Sequence, residues 1–513
     1  MAISRKDDGS FTRRRFLAGS VAASIGALLV ACGGAPAQPT QAPAAPTPAS
    51  AAKPPESKPT EAPKPTTAAA AQPTPTAAAA KPTEAPKPTV AAAPSGAQGK
   101  KVEIRYGTFW NQERVNLLDP VLKEWTKTSG ITVTAEPTPS RYIEKMLSQI
   151  AANTVPDTFL VDSYIAPKMY DQKQVLDLNP YVQQAKVDLK KDYGLMGVEL
   201  WDGKTYAMPF VLSPHAWYYN KTMLKEVGAP DPWDDLKGDL TWDDMLQIGL
   251  KATRDTNGDK KTDVWGLRLD YNSIDYQLGG FIYSNGGRSH DYETMKYTLT
   301  EPKCVEAIQF VYDLVHKHKI CAPMGEMQQL GQAGVTMPFQ AAVVAMEEDS
   351  TGRLTTNAVN IKAKFVWDIF PIPRAKKGGE PGVPYVSGNP NSGYAKTKNP
   401  DEAWEVLNFM SGPVVQGMLS KNKLLQPGLL SAANDKEGFL KPPPDHIDVF
   451  NKLYQGKVTR RFFHQNSQEG VDTIAKWLDK IFLNEVPLEE GLKQANDEAN
   501  ALVKWTSKPT IQG

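Results

Sequence analysis

Between residues 101 and 161 the hydrophobic period switches back and forth, and that switching fixes the kind of fold available. Val102, Ile104 and Tyr106 alternate as in a strand, and Leu118, Leu122 and Trp125 follow at helical spacing up to Gly130. Ile131-Thr132-Val133 reads as a second strand, Ile143, Met146, Leu147 and Ile150 as a second helix, and Thr158-Phe159-Leu160-Val161 as a third strand. A β-α-β-α-β order predicts a parallel sheet covered by helices. Ligands of such sheets bind beyond the carboxyl ends of the strands. Two loops leave those ends, Gly107–Gln112 and Asp162-Ser163-Tyr164. Both join aromatic to hydrogen-bonding side chains, as a sugar requires: its C–H face packs on a ring and its hydroxyls need fixed polar partners.

Upstream, the stretch TRRRFLAGSVAASIGALLVACGG (12–34) carries two signals. Thr12-Arg13-Arg14-Arg15-Phe16-Leu17 has the spacing of a twin-arginine export address. Leu29-Val30-Ala31-Cys32 has that of a lipobox, with cleavage before Cys32 and lipid on its sulfur. The run from Phe16 to Ala31 is rich in Ala, Gly and Ser and falls short of the roughly 20 apolar residues of a spanning helix. Residues 1–31 therefore read as a signal peptide. Residues 32–99 are the lipidated Cys32 and a tether, almost entirely Ala, Pro and Thr without an aromatic residue, in which KPTEAPKPT occurs at Lys58–Thr66 and again at Lys81–Thr89. Such a segment buries too little apolar surface to fold, and its prolines favour extended polyproline II. Thr beside Pro also permits glycosylation.

About 410 residues remain, enough for two or three domains. With 58 Lys and Arg against 57 Asp and Glu, no strong field invites nucleic acid. Cys304 opens a helical pattern that Cys321 lies beyond, so their alpha carbons should be roughly 20 Å apart, too far for a disulfide. Two free thiols are expected.

The stretch EWTKTSGITVTAEPT (124–138) with YIEKMLSQIAANTVPDTFLVDS (142–163) resembles the opening of the sugar-binding family 1 of extracellular solute-binding proteins of ABC transporters. Asn153-Thr154-Val155-Pro156-Asp157 fills that family's aaG.PD slot without the usual Gly. The resemblance continues through WDGKTYAMPF (201–210), WYYNKTMLKEVGAPDPW (217–233), TWDDML (241–246), FQAAVVAMEED (339–349), FPIP (370–373) and KNPDEAWEVLNFMSGP (398–413), in the family's order. It implies an α/β, two-lobed, periplasmic-binding-protein-like (type II) fold like that of maltose-binding protein, with hinge-connected lobes closing on a ligand. Lobe one would take 101–211 plus 388–428, and lobe two 216–384 plus 430–513, with crossings near Leu212–Asn220 and Tyr385–Gly393. It implies no catalysis and no required cofactor. The partners implied are a small polar solute, most simply a mono- or oligosaccharide, and a permease with its ATPase. A lipid-anchored monomer on the outer face of the cytoplasmic membrane is expected.

Ligand-binding candidates follow, each with a packing alternative. Trp110 and Asn111 leave the first strand; Trp110 stacks on ligand or is a half-buried structural residue. Asp162 and Tyr164 leave the third strand, where the family often contacts sugar hydroxyls. Ser213, His215, Trp217 and Tyr219 share one side of the first crossing, with core packing as the alternative. Asn285 faces the cleft or serves the turn that Gly286 and Gly287 demand. Ser387 and Asn389 lie in the second crossing. Where many relatives place a Trp after AM, this chain has Glu347, Glu348 and Asp349; Glu348 and Asp349 either make an unusually acidic site, suited to an amine-bearing ligand, or form a solvated loop.

In DTNGDKKTD (255–263), Asp255, Asn257, Asp259, the Lys261 carbonyl and Asp263 resemble the first two-thirds of an EF-hand loop, a candidate for structural calcium. Lys260 stands where that loop wants Gly and Gly266 where it wants Glu, so a plain Asx/Gly turn is the alternative. A surface-anchored carbohydrate-active enzyme built on Glu347, Glu348 and Asp349 is the rival reading, but adjacent carboxylates point apart, whereas glycoside hydrolysis wants two about 5 to 9.5 Å apart across the bond. An adhesion module would share the anchor without the two-lobed pattern.

Overall fold

The computed structural model describes residues 101–193, 200–201, 203–452, 458–505 and 509–510. The expected signal peptide, Cys32 and the tether lie outside the described residues. Nine strands build the main sheet and are numbered along the chain: β1 (Val102–Thr108), β2 (Ile131–Pro137), β3 (Thr158–Leu160), β4 (Met208–Asn220), β5 (Trp265–Arg268), β6 (Val344–Ser350), β7 (Trp367–Phe370), β8 (Val386–Gly393) and β9 (Gln426–Pro427). Their order is β2-β1-β3-β8-β4-β6-β5, with β7 and β9 also bonded to β4.

The first units form where the hydrophobic period placed them. In β1, Ile104 and Tyr106 point inward and are buried. Asn111 then caps the helix Gln112–Ser129, its side chain accepting from the Arg114 amide at 3.1 Å. The helix buries Val115, Leu118 and Leu122 and ends on Gly130 at φ 74°, a left-handed turn that glycine adopts without a Cβ penalty. β1 is parallel to β2 and to β3, as expected. Beyond β3 the sheet becomes mixed: β8 runs antiparallel to both β3 and β4. Strand direction there follows from β8 entering the sheet from the other lobe.

β4 joins the two halves. Its 13 residues are all buried. Met208 to Pro214 pair with β8 and β9, and His215 to Asn220 with β6 and β7. Its side chains alternate between two cores: Trp217 and Tyr219 enter one, Ala216 and Tyr218 the other. On the lobe-one side, Ile104, Leu118, Phe210 and Met410 cover one face of the sheet, and Phe159, Met169, Tyr170 and Tyr206 pack together in a second cluster. On the lobe-two side, Trp217, Met245, Ile308, Ile474 and Leu478 form one cluster, and Tyr218, Phe339, Trp367 and Phe450 another. The helices Ser467–Phe482 and Leu488–Leu502 close the lobe-two core with Val471, Ile474, Leu478 and Ile481 on one and Leu492, Ala495 and Ala499 on the other.

Cys304 and Cys321 are free and buried, and burial pushes both thiols up. Among the described residues no helix is long and apolar enough to cross a membrane.

Candidate functional site

A cavity of about 230 Å³ is lined by Phe109, Asp162, Ser163, Tyr276, Ser387, Asn389 and Arg461. It lies where the strand ends predict. Phe109 follows β1, and Asp162 and Ser163 follow β3. Ser387 and Asn389 are two apart in β8 and so share a face. Tyr276 precedes the helix Gln277–Ser284, and Arg461 comes from a segment near the C-terminal helices. The site thus draws on both lobes and on a crossing strand. A larger cavity of about 600 Å³, lined by Trp265, Tyr271, Met324 and Phe482 among others, takes all its residues from lobe two and touches none of these strand ends.

Arg461 organises one wall. Only 3% of its side chain is exposed. Its Nη2 donates to the Tyr276 hydroxyl at 2.6 Å, its Nε lies 3.5 Å from Asp275, and its Nη1 lies 3.8 Å from Asp162. Its guanidinium covers the Tyr164 ring. Burial works against its charge, and the oxygens of Tyr385, Tyr276, Tyr164 and Asp275 more than offset that, so its pKa is raised. Burial pushes the Asp275 carboxyl up to about 6, with Arg461 opposing the rise. Asp162 is oriented from below, one carboxylate oxygen accepting the Tyr164 amide at 2.8 Å.

A second layer backs Tyr276. His215 stacks on it at 5.4 Å between ring centroids, meets Tyr385 edge-on, and places Nδ1 3.4 Å from Glu348. Glu348 is buried, its pKa raised by that burial and opposed by His215. The three neighbouring acids separate as alternation requires. Glu348 stands opposite Trp217 and Asp349 opposite Ala216, on the other face of the sheet. Asp349 pairs with Arg353, and Glu347 lies 3.4 Å from Arg268. Glu347 and Asp349 share one face of the strand and Glu348 the other, and each of the three is held by its own basic partner, Arg268, Arg353 and His215.

Of the residues expected to bind ligand, Asp162, Ser387 and Asn389 line the cavity, and Tyr164 and His215 stand directly behind its wall. The others are placed elsewhere. Trp110 is 1% exposed and packs on Phe210 at 5.5 Å inside lobe one, while its neighbour Phe109 takes the cavity. Asn111 serves as the helix cap. Ser213 is buried, opposite Ser387 in the sheet. Trp217 packs between Phe281 and Phe370, and Tyr219 on Phe370, both fully buried in the lobe-two core. Asn285 donates to the Lys303 carbonyl and to Glu306, each at 3.0 Å, tying down a helix start. Glu348 and Asp349 face His215 and Arg353 rather than the cavity. Phe109, Ser163, Tyr276 and Arg461 line it as well, outside the expected set. Phe109 and Ser163 belong to the two strand-end loops; Tyr276 carries no local signal in the sequence, and Arg461 only the aromatic Phe462 and Phe463 beside it.

The 255–263 loop is an Asx turn network. Asp255 accepts from the amides of Asn257, Gly258 and Lys260, and Asp263 from Thr256 and Asn257. These bonds hold both carboxyls below their usual range. Among the described residues no three His, Cys, Asp or Glu side chains gather as a metal set.

Two α/β lobes on a shared crossing strand, with a polar and aromatic cavity between them, define a substrate-binding protein of the two-lobed class. The model for bacterial extracellular solute-binding proteins matches residues 110–417, and the chain belongs to that family, one of binding proteins rather than enzymes. An arabinooligosaccharide-binding protein of Halalkalibacterium halodurans is 26% identical over 184 residues, 35% of this chain and 37% of that one. A maltotriose-binding protein of Pyrococcus abyssi is 23% identical over 265 residues, 51% of this chain and 52% of that one. The chain thus spans about a third to a half of the length of these relatives. Among solved structures, an ABC substrate-binding protein of Listeria monocytogenes in complex with cycloalternan superposes with a TM-score of 0.67 at 20% identity, covering 78% of this chain and 99% of that one.

Proposed function

We propose that this chain is the receptor of an ABC importer. It captures a small polar solute, a mono- or oligosaccharide, between its lobes and delivers it unaltered to a membrane permease driven by its ATPase. The carrying observation is the convergence in one cavity of the aromatic side chains of Phe109 and Tyr276 with the polar groups of Asp162, Ser387 and Asn389. A sugar needs that pairing, and a purely apolar ligand would leave the polar groups unpaired. The saccharides named for the relatives and for the fold neighbour support the same class. The anchor on Cys32 and the Ala/Pro/Thr tether complete the proposal: the first limits escape and the second gives reach to the permease.

Thermal unfolding of the protein against a panel of mono- and oligosaccharides tests the reading. A bound sugar raises the melting point as RT ln(1 + [L]/Kd) predicts. A panel in which no saccharide moves the melting point at millimolar concentration overturns it, as does release of a hydrolysed product.

A further inference from the structure

The segment over 459–465 reaches across the cleft in an alternating pattern. Thr459 bridges Tyr385 next to β8, which fixes the start of the segment at the second crossing. Phe462 and His464 then point into lobe two, Phe462 into its core and His464 to the Tyr297 hydroxyl at 3.2 Å. Phe463 and Gln465 point the other way, and Arg461 bridges the two sides, pairing with Asp275 and Tyr276 of lobe two as well. Arg461 covers Tyr164 and approaches Asp162, Phe463 packs on the cluster that holds Tyr170 and Trp201, and Gln465 donates to Asp171. All five of those partners come from the lobe-one side. The segment is therefore a strap fastened to both lobes, and it borders the cavity at Arg461.

Building on the sugar reading, we infer that the strap walls off the cavity on that side, so that the site takes a ligand of one or two sugar rings, and that Arg461 is the residue that sets this limit. Three observations carry it. The cavity is about 230 Å³, below the roughly 300 Å³ at which small-molecule pockets usually begin. The guanidinium lies on the face of the Tyr164 ring, so that this ring surface beside the cavity is closed to a further sugar unit. Moving it aside is costly, because it is buried and paired with Asp275 and Tyr276, and its departure would leave a buried carboxylate without its counter-charge. The neighbours Phe463 and Gln465 hold the backbone of the strap and so keep Arg461 where it stands.

The test is calorimetric titration of the full chain with arabino-, malto- and manno-oligosaccharides of increasing length, one to four units, beside Arg461→Ala and Phe463→Ala. In whichever series binds, the wild-type protein should hold its best mono- or disaccharide at least about 10-fold more tightly than the tetrasaccharide, a gap of about 1.4 kcal/mol. Arg461→Ala should narrow that gap to about 3-fold or less, and Phe463→Ala should narrow it in the same direction. A wild-type protein that binds the tetrasaccharide as tightly as the disaccharide overturns the length limit while leaving the sugar reading intact. A wild-type preference that survives in a folded Arg461→Ala protein overturns the role of Arg461. Absence of binding at every length in all three series overturns the sugar reading and the limit with it. Should Arg461→Ala not fold, the wild-type length series and Phe463→Ala still decide.

Discussion

Asp162 reaches the cavity already oriented by the Tyr164 amide, and Asn389 reaches it from a strand, so both present polar groups at fixed positions. A hydrogen bond to a charged group contributes about 1.5 to 3 kcal/mol, and losing it weakens binding roughly 10- to 100-fold. Asp162→Ala should therefore cost about that much affinity for the cognate saccharide, and Asn389→Ala somewhat less, by calorimetry. Asn285→Ala serves as the contrast: its amide is spent on Lys303 and Glu306, so affinity should stay within about 2-fold of wild type. A second prediction concerns Glu347. Burial pushes its carboxyl up to about 7, with Asp349 adding to the rise and Arg268 opposing it. The folded protein then holds a proton that the unfolded chain gives up near pH 4.5. The stability this group adds is full below that value and lost as pH rises through about 7. Glu347→Gln cannot titrate, so its melting point relative to wild type should be higher at pH 8 than at pH 5; an equal difference at both would contradict the assignment. At this scale the sequence was partly legible. Asp162, Ser387 and Asn389 could be chosen because strand-end position and period-two spacing are local properties. The choice between Phe109 and Trp110 was not available, since both follow the same strand and its closing twist decides which one faces the cavity. Arg461 meets Tyr276 across 185 positions of sequence, a distance at which no spacing rule operates.

Elements were read more fully than residues, because each one announces itself within a few turns of chain. The β-α-β-α-β opening, the helix stop at Gly130 and the paired C-terminal helices all follow from hydrophobic period and glycine placement. Sheet direction beyond β3 did not, because β8 finds its partners β3 and β4 from some 200 residues away, and pairing at that range is a property of the packed core. One close contact between elements gives a third prediction. The helix Trp242–Ala252 lies against β5 at Gly249 and Gly266, and a Cβ at position 266 would stand 2.5 Å from the Gly249 backbone. Backbone cannot swing aside as a side chain does, so Gly266→Ala must push the helix off the sheet. Overpacking of this kind costs about 1 to 3 kcal/mol. Denaturant unfolding should show a loss in that range with the ligand affinity of the surviving folded protein unchanged, since neither element lines the cavity. Wild-type stability in Gly266→Ala would mean that the helix and strand are less tightly apposed.

At the scale of the whole molecule, the continuous β4 strand limits how the lobes can move. It is paired along both halves, to β8 and β9 below Pro214 and to β6 and β7 above it, so the lobes cannot part without tearing a ladder. What β4 permits is rotation where its partners change, between Ser213 and His215, and the crossing at Tyr385 to Val386 lies beside that point. The strap over 459–465 adds a second fastening between the lobes, beside the cavity, so opening should be a swing about the strap and β4 together. A ligand draws the lobes together only through contacts stronger in the closed state than in the open one. The cavity supplies such contacts, because Asp162 and Phe109 come from one lobe and Tyr276 and Arg461 from the other. Small-angle scattering of the full chain should therefore show a smaller maximum dimension of the folded part with a saturating saccharide than without it. The same saccharide at 100 times its Kd should add about 2.7 kcal/mol to unfolding. Asp162→Ala, which removes a contact from one side only, should need more saccharide to reach the compact form but should reach the same endpoint. Identical scattering with and without bound sugar would mean that the lobes do not move, and recognition would then rest on a preformed pocket with nothing for a permease to sense.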